Sequence, residues 1–268
     1  MKTIYMKLLA VVSFTVLLYA CGNAKKAVRK SANPVVAHRG AWKENNLPEN
    51  SIASLRQAIA LHCAGTEFDV RMTADDSLVI NHDPVFHGLK IEASAYADLV
   101  KTTLANGEKL PTLYEYITAG LQENTGTTLV VEIKPSDIDK AHAAAAARKV
   151  YNTITALHAG NKVQYISFDY DILLTLEQLN KRVITQYLNG DKSPVQLKAD
   201  GIDGADYHFS VYQKHPEWIK ELKAQRLIAN AWTVNESKDM LVLLGSGIDY
   251  ITTNEPGLLF SLLKERQQ

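Results

Sequence analysis

The sequence predicts an α/β fold, a TIM (β/α)8 barrel with a short insertion near its mouth. Three observations predict it. Short runs rich in Val, Ile, Phe and Tyr alternate with stretches of helical period from Val35 onward. Residues 34–268 are long enough for eight strand-helix units in a single domain with a sizeable core. The first strand ends in His38-Arg39-Gly40 rather than in the GxGxxG turn that an open doubly wound sheet usually shows.

The elements follow in order. A strand at 35–38 leads to a helix at 51–63, and a second strand runs over 67–71. Only TADDS separates it from the strand-like run 78–82, too short for the crossover that parallel neighbours need, so 78–82 reads as a hairpin return. Residues 84–111 are the one long insertion and can cap a barrel mouth. Next come a strand at 129–133 and a helix at 140–158, whose alanine run 143–147 is strong helix former. Strands at 164–168, 183–187, 205–209, 228–232 and 250–252 complete eight parallel candidates, with helices at 171–180, 216–226, 237–244 and 256–266.

The first residues read as an export signal. Lys2 and Lys7 flank the start, and the apolar run 8–20, too short to span a bilayer, precedes Cys21. LYACG at 18–22 resembles the lipobox of bacterial lipoproteins, although Tyr19 is bulkier than that motif prefers. The resemblance implies cleavage before Cys21, acylation of that cysteine and a lipid-anchored place in the exported cell envelope, facing the periplasm or at the cell surface. A plain secretory signal and an uncleaved anchor are the alternatives. With Cys21 acylated, Cys63 has no intrachain partner, so the fold rests on its core rather than on a disulfide.

Charge is unevenly placed. Residues 1–33 hold six of the 29 Lys and Arg and none of the 29 Asp and Glu, which leaves residues 34–268 with 23 bases against 29 acids. That balance argues against nucleic acid as a partner. The basic linker 22–33 is a solvated tether or lies on anionic headgroups beside the anchor. No protein partner is implied.

Chemistry-bearing residues gather where barrel strands end. His38 closes the first strand and His82 the hairpin strand; one imidazole can take a proton from an attacking oxygen while the other gives one to a leaving alkoxide. Glu67 and Asp69 alternate along one strand, so they face the same way, and Glu132 ends the next parallel strand. Three such acids repel one another unless a cation sits among them. An all-oxygen set suits Ca2+ or Mg2+, and no cysteine or His-x-x-x-His pair is there to favour zinc. The plainer alternative pairs these acids with Arg71 or Lys134.

Arg39 and Lys134 are natural phosphate clamps, the first a planar fork and the second a mobile point charge two residues beyond Glu132. Asn50 and Ser51 precede the first helix. Either can be its N-cap, or Asn50 can orient Glu67 or a phosphate. Trp232 offers an apolar wall for an alcohol portion such as glycerol, or is core. The whole set suits metal-assisted cleavage of a phosphodiester.

In their order, AHRG at 37–40, PENS at 48–51, EFDVRMTADDSLVINHD at 67–83, KLPTLYEYI at 109–117, VVEIKP at 130–135, YISFDYDIL at 165–173, AWTVNE at 231–236 and GIDYITTNEP at 247–256 resemble the glycerophosphodiester phosphodiesterase family. The resemblance implies a TIM barrel that hydrolyses deacylated phospholipids to sn-glycerol 3-phosphate and an alcohol. It implies His38 and His82 as general acid and base, Glu67, Asp69 and Glu132 as ligands of one Ca2+ or Mg2+ ion, and Arg39 and Lys134 on phosphate. The attacking group is water or the substrate's own glycerol hydroxyl, through a cyclic phosphate. After HDP the chain reads VFHGLKIEASAYADL where many members carry an arginine-threonine run and a longer insertion, which leaves the headgroup open. The alternatives are a barrel phospholipase of the sphingomyelinase D type acting on intact lipids, a surface lipoprotein that binds phosphate ligands without cleaving them, and a structural envelope protein.

Overall fold

A computed structural model describes residues 31–267. The expected leader, Cys21 and the linker as far as residue 30 lie outside the described residues. The chain runs β1 (Val35–Ala37), α1 (Ile52–Ala60), β2 (Gly65–Met72), β3 (Leu78–Ile80), β4 (Val85–Phe86), β5 (Leu89–Lys90), α2 (Tyr96–Leu99), α3 (Leu113–Leu121), β6 (Thr128–Ile133), α4 (Lys140–Ala156) and β7 (Val163–Ser167). It continues through α5 (Tyr170–Leu179), β8 (Thr185–Tyr187), α6 (Pro194–Asp200), β9 (Gly204–His208), α7 (Phe209–Lys214), α8 (Trp218–Ala224), β10 (Ile228–Trp232), α9 (Ser237–Gly245), β11 (Tyr250–Thr253) and α10 (Pro256–Glu265).

Eight parallel strands close into a TIM barrel in the order β1-β11-β10-β9-β8-β7-β6-β2, shut by pairing of β1 with β2 at Val36↔Gly65. β3 returns antiparallel on β2, Val70 opposite Ile80, as the short connection requires. Alternation along each strand sorts the side chains. Phe68, Val70, Leu129, Val131 and Ile133 face outward into a core with Leu55, Leu113, Tyr116, Ile117 and Val150 from the surrounding helices. The other half of the barrel does the same with Ala205, Tyr207, Ala229, Ala231 and Ile251 against Ile219, Leu222, Met240, Leu243 and Leu259. Burial of each large side chain contributes about 1.5–3 kcal/mol, and the core needs no cross-link: Cys63 is buried and free.

Of the helices that go beyond the sequence expectation, two start at clear caps. α3 begins at a capping box in which Thr112 and Glu115 satisfy each other's backbone N–H groups. α6 has Ser193 as N-cap, Pro194 in its first turn and a left-handed Gly201 at its end. Both carry start signals in the sequence, but they are only nine and seven residues long.

The insertion 84–111 builds a small core of Phe86, Ile91, Leu99 and Leu110 on Val79 of β3. Two of its carboxylates fasten it to the barrel. Glu108 accepts hydrogen bonds from the N–H groups of Ile52 (2.9 Å) and Ala53 (3.1 Å), at the start of a helix with no acid of its own in the first turn. Glu92 accepts one from Asp137, in the loop after β6. The insertion therefore stands at the rim of the mouth, and none of its residues lines the central cavity.

Candidate active site

The inward-facing residues at the strand ends enclose a cavity of about 230 Å³ lined by His38, Arg39, Glu67, His82, Glu132, Lys134, Ile166, Phe168, Leu188, Asp206, Trp232, Thr233 and Thr252. It opens at the C-terminal ends of the parallel strands, where this fold places its chemistry. One wall is acidic and basic. The opposite wall is apolar apart from Asp206, with Trp232 packed edge-on to Phe168 at 5.4 Å.

The turn after β1 is bent tightly. Arg39 adopts a left-handed backbone (φ 55°), and Gly40 (φ 83°) lies so close to α1 that a Cβ there would meet Ser54 Oγ at 2.3 Å. This bend aims the Arg39 N–H at Glu67 Oε2 (2.9 Å) and leaves His38 facing inward. The Arg39 guanidinium reaches Glu49 Oε1 at 2.8 Å and Asp69 Oδ2 at 3.5 Å. His38 Nδ1 is 2.7 Å from Asn254 Oδ1, so Nδ1 carries the donated proton and Nε2, 3.9 Å from Glu67 Oε2, keeps its lone pair toward the cavity. Burial and the nearby Arg39 lower the His38 pKa to about 4, against a raising contribution from Asn254.

Glu67, Asp69 and Glu132 are all buried, and one oxygen from each lies within 4.8 Å of the others. Lys134 bridges two of them, with Nζ 2.9 Å from Asp69 Oδ1 and 2.7 Å from Glu132 Oε1. Glu67 Oε1 is buried with no hydrogen-bond partner. An orphaned carboxylate oxygen beside two further acid oxygens fits a hard divalent cation. The charge count agrees: three carboxylates face two cationic side chains, and adding a dication with a monoanionic phosphodiester restores neutrality.

The acids titrate apart. Burial alone would raise Asp69, but Lys134 and Arg39 outweigh it and hold its carboxyl well below the usual range. Burial, then Asp69 and Glu132, push Glu67 upward; burial and Asp69 push Glu132 up to about 7. The sign of the resulting linkage follows from the raised values. Glu67 and Glu132 stabilise the fold as protonated groups, fully below their unfolded values and progressively less as pH rises through about 7 for Glu132. The depressed Asp69 acts oppositely, but only in strong acid. In chelator the melting temperature is therefore expected to fall by about 5 °C between about pH 5.5 and about pH 8. A divalent cation taking the place of those protons would raise it more at the higher pH. Thermal melts with and without cation check this; a cation effect equal at both pH values would remove Glu67 and Glu132 from the ligand set.

Asn50 spends both amide atoms on Asp69. Its Nδ2 donates to Asp69 Oδ2 (2.8 Å) and its Oδ1 accepts from the Asp69 N–H (3.2 Å), so it orients that acid rather than Glu67 or a phosphate. Ser51 is the N-cap of α1. Arg71 is not paired with the acids: its Nε and Nη2 both donate to the His82 carbonyl, at 2.9 and 2.8 Å, and fix the loop that carries that histidine. His82 Nδ1 is 2.7 Å from Asp83 Oδ1. Trp232 takes the apolar wall and anchors its Nε1 on the Asp206 carbonyl (2.9 Å).

Three groups here were invisible to sequence reasoning as contributors. Asn254 and Asp83 stand inside the runs GIDYITTNEP and EFDVRMTADDSLVINHD, beside residues with more evident chemistry. Asp206 on β9 carried no signal at all.

Residues 38–258 match the Glycerophosphoryl diester phosphodiesterase family. A glycerophosphodiester phosphodiesterase of Caldanaerobacter subterraneus subsp. tengcongensis is 26% identical over 247 residues, 86% of this chain and 98% of its own. The crystal structure of a glycerophosphodiester phosphodiesterase from Parabacteroides distasonis superposes with a TM-score of 0.86 at 37% identity, covering 90% of this chain and 100% of that one. An Oleispira antarctica phosphodiesterase, solved in complex with the product sn-glycerol-3-phosphate, gives 0.71 at 25% identity over 87% of this chain and 97% of its own.

Proposed function

The chain belongs to the glycerophosphoryl diester phosphodiesterase family and is an enzyme of it, and we propose that it hydrolyses glycerophosphodiesters to sn-glycerol 3-phosphate and a free alcohol, with one bound divalent cation. The observation that carries this is the convergence of Glu67, Asp69 and Glu132 on one another, with Glu67 and Glu132 lining one cavity together with His38 and His82. The product held by the Oleispira antarctica neighbour supports the substrate class.

Glu67, Asp69 and Glu132 would hold Ca2+ or Mg2+, with Asp69 kept in place by Asn50. When bound, the cation supplies Lewis-acid charge against a phosphoryl oxygen. Arg39 and Lys134 oppose the charge that builds on the other phosphate oxygens. His38, neutral at pH 7 and held by Asn254, accepts at Nε2 the proton of the attacking O–H as its oxygen bonds to phosphorus. The phosphorus–oxygen bond to the alcohol breaks, and His82, whose side chain is 37% exposed against 18% for His38, gives its proton to the departing oxygen on the solvent side. The apolar wall of Phe168, Leu188 and Trp232 takes the carbon skeleton of the glycerol.

Phosphorus NMR of the protein lacking residues 1–21 tests the reading, with glycerophosphocholine, glycerophosphoethanolamine and glycerophosphoglycerol in calcium, magnesium or chelator. A glycerol 3-phosphate signal that appears only with cation is the expected result. Persistence of every diester in every metal condition would overturn the reading and point to intact lipids instead.

A further inference from the structure

Asp206 is a buried acid that the proposed chemistry leaves unused. It is 1% exposed and lines the cavity, and its Oδ1 has no hydrogen-bond partner. Orphaned buried carboxylate oxygens are costly, so a carboxyl that carries one in the wall of a substrate cavity marks a place where a ligand can supply the missing donor. Its position in the barrel says which part of the ligand. β9 lies diametrically opposite β2, four strands away by either route around the barrel, so Asp206 faces Glu67 across the cavity. Asn230 on β10 donates through Nδ2 to Thr252 Oγ1 at 3.1 Å and also lies against the Asp206 carboxyl, yet Oδ1 itself is left without a hydrogen-bond partner. Beside it rise the apolar side chains of Ile166, Leu188 and Trp232.

A phosphate held between Arg39, Lys134 and the acid cluster keeps the adjacent carbons, and the hydroxyl nearest phosphorus, on the β2 side. The terminal hydroxyl is the one polar group of a glycerol moiety able to reach the far wall. We propose that Asp206 is a specificity-determining residue whose carboxyl accepts a hydrogen bond from the terminal hydroxyl of the substrate's glycerol. This rests on the glycerophosphodiester reading. Burial first, and Glu132 second, push the Asp206 pKa well above the carboxylate range, against a lowering contribution from Asn230.

The test compares glycerophosphocholine with its 1-deoxy analogue, the phosphocholine diester of 1,2-propanediol, which keeps the hydroxyl nearest phosphorus. The wild type should prefer the glycerol diester by roughly tenfold in kcat/KM, the value of a buried hydrogen bond lost. Asp206→Ala and the larger Asp206→Leu should erase that preference by losing only on the glycerol diester, with kcat on the analogue unchanged. Asp206→Asn, which keeps a carbonyl acceptor, should restore it. A merely structural Asp206 would lower both substrates together. Equal discrimination in wild type and in whichever acceptor-free variant folds overturns the assignment while the reaction stands. If both unfold, a lost preference in Asp206→Asn overturns it too. A wild type inactive on every diester overturns the reading itself, and this assignment with it.

Discussion

A His38→Ala variant is expected to lose roughly 10² to 10⁴-fold in kcat while its KM and its melting temperature change little. The size follows from what the ring does. It is the one basic nitrogen in the cavity that is buried, oriented by a partner and held neutral: Asn254 fixes the Nδ1 proton at 2.7 Å, and Nε2 is directed at the acid site. Its pKa, lowered to about 4 by burial and by Arg39, has a kinetic counterpart. A base works above its pKa, so the acidic limb of the rate profile contributed by His38 should lie well below the ordinary histidine range, and the Ala variant should lose that limb along with the rate. Steady-state kinetics across pH check both. Turnover near wild type in His38→Ala would remove the residue from proton transfer.

Lys134→Met should lower stability, most of all when cation is absent, and should lower kcat as well. Lys134 Nζ sits 2.9 Å from Asp69 and 2.7 Å from Glu132, with 7% of its side chain exposed. Removing one partner of a buried ion pair leaves the other uncompensated, at a cost of about 3–5 kcal/mol. That corresponds to a fall of roughly 10 °C in melting temperature for a domain of this size. Methionine keeps most of the volume, so packing loss is a minor part. A divalent cation supplies the missing positive charge, so Ca2+ or Mg2+ should recover much of the loss while kcat remains depressed for want of the phosphate contact. Melting curves and rates with chelator and with cation separate the two effects. A variant as stable as wild type in chelator at about pH 8 would show that Lys134 does not hold these acids together.

The chain itself determined the barrel and the composition of its site. Strand and helix periodicities are local, and the eight-fold alternation with one short TADDS connection leaves little topological choice. Period-two alternation along a strand is enough by itself to put Glu67 and Asp69 on one face. What only the tertiary structure decided is who holds whom. Asn50 and Asp69 are 19 residues apart, His38 and Asn254 are 216 apart, and their hydrogen bonds exist because closure of the barrel brings β1 beside both β2 and β11. Arg71 lies among acids along the chain yet turns to the His82 carbonyl, because β3 returns beside its own strand. Asp206 became visible for the same reason. A carboxyl with an unpaired oxygen in the wall of a cavity is a property of the enclosure formed by eight strands, and no local pattern in the sequence encodes an enclosure.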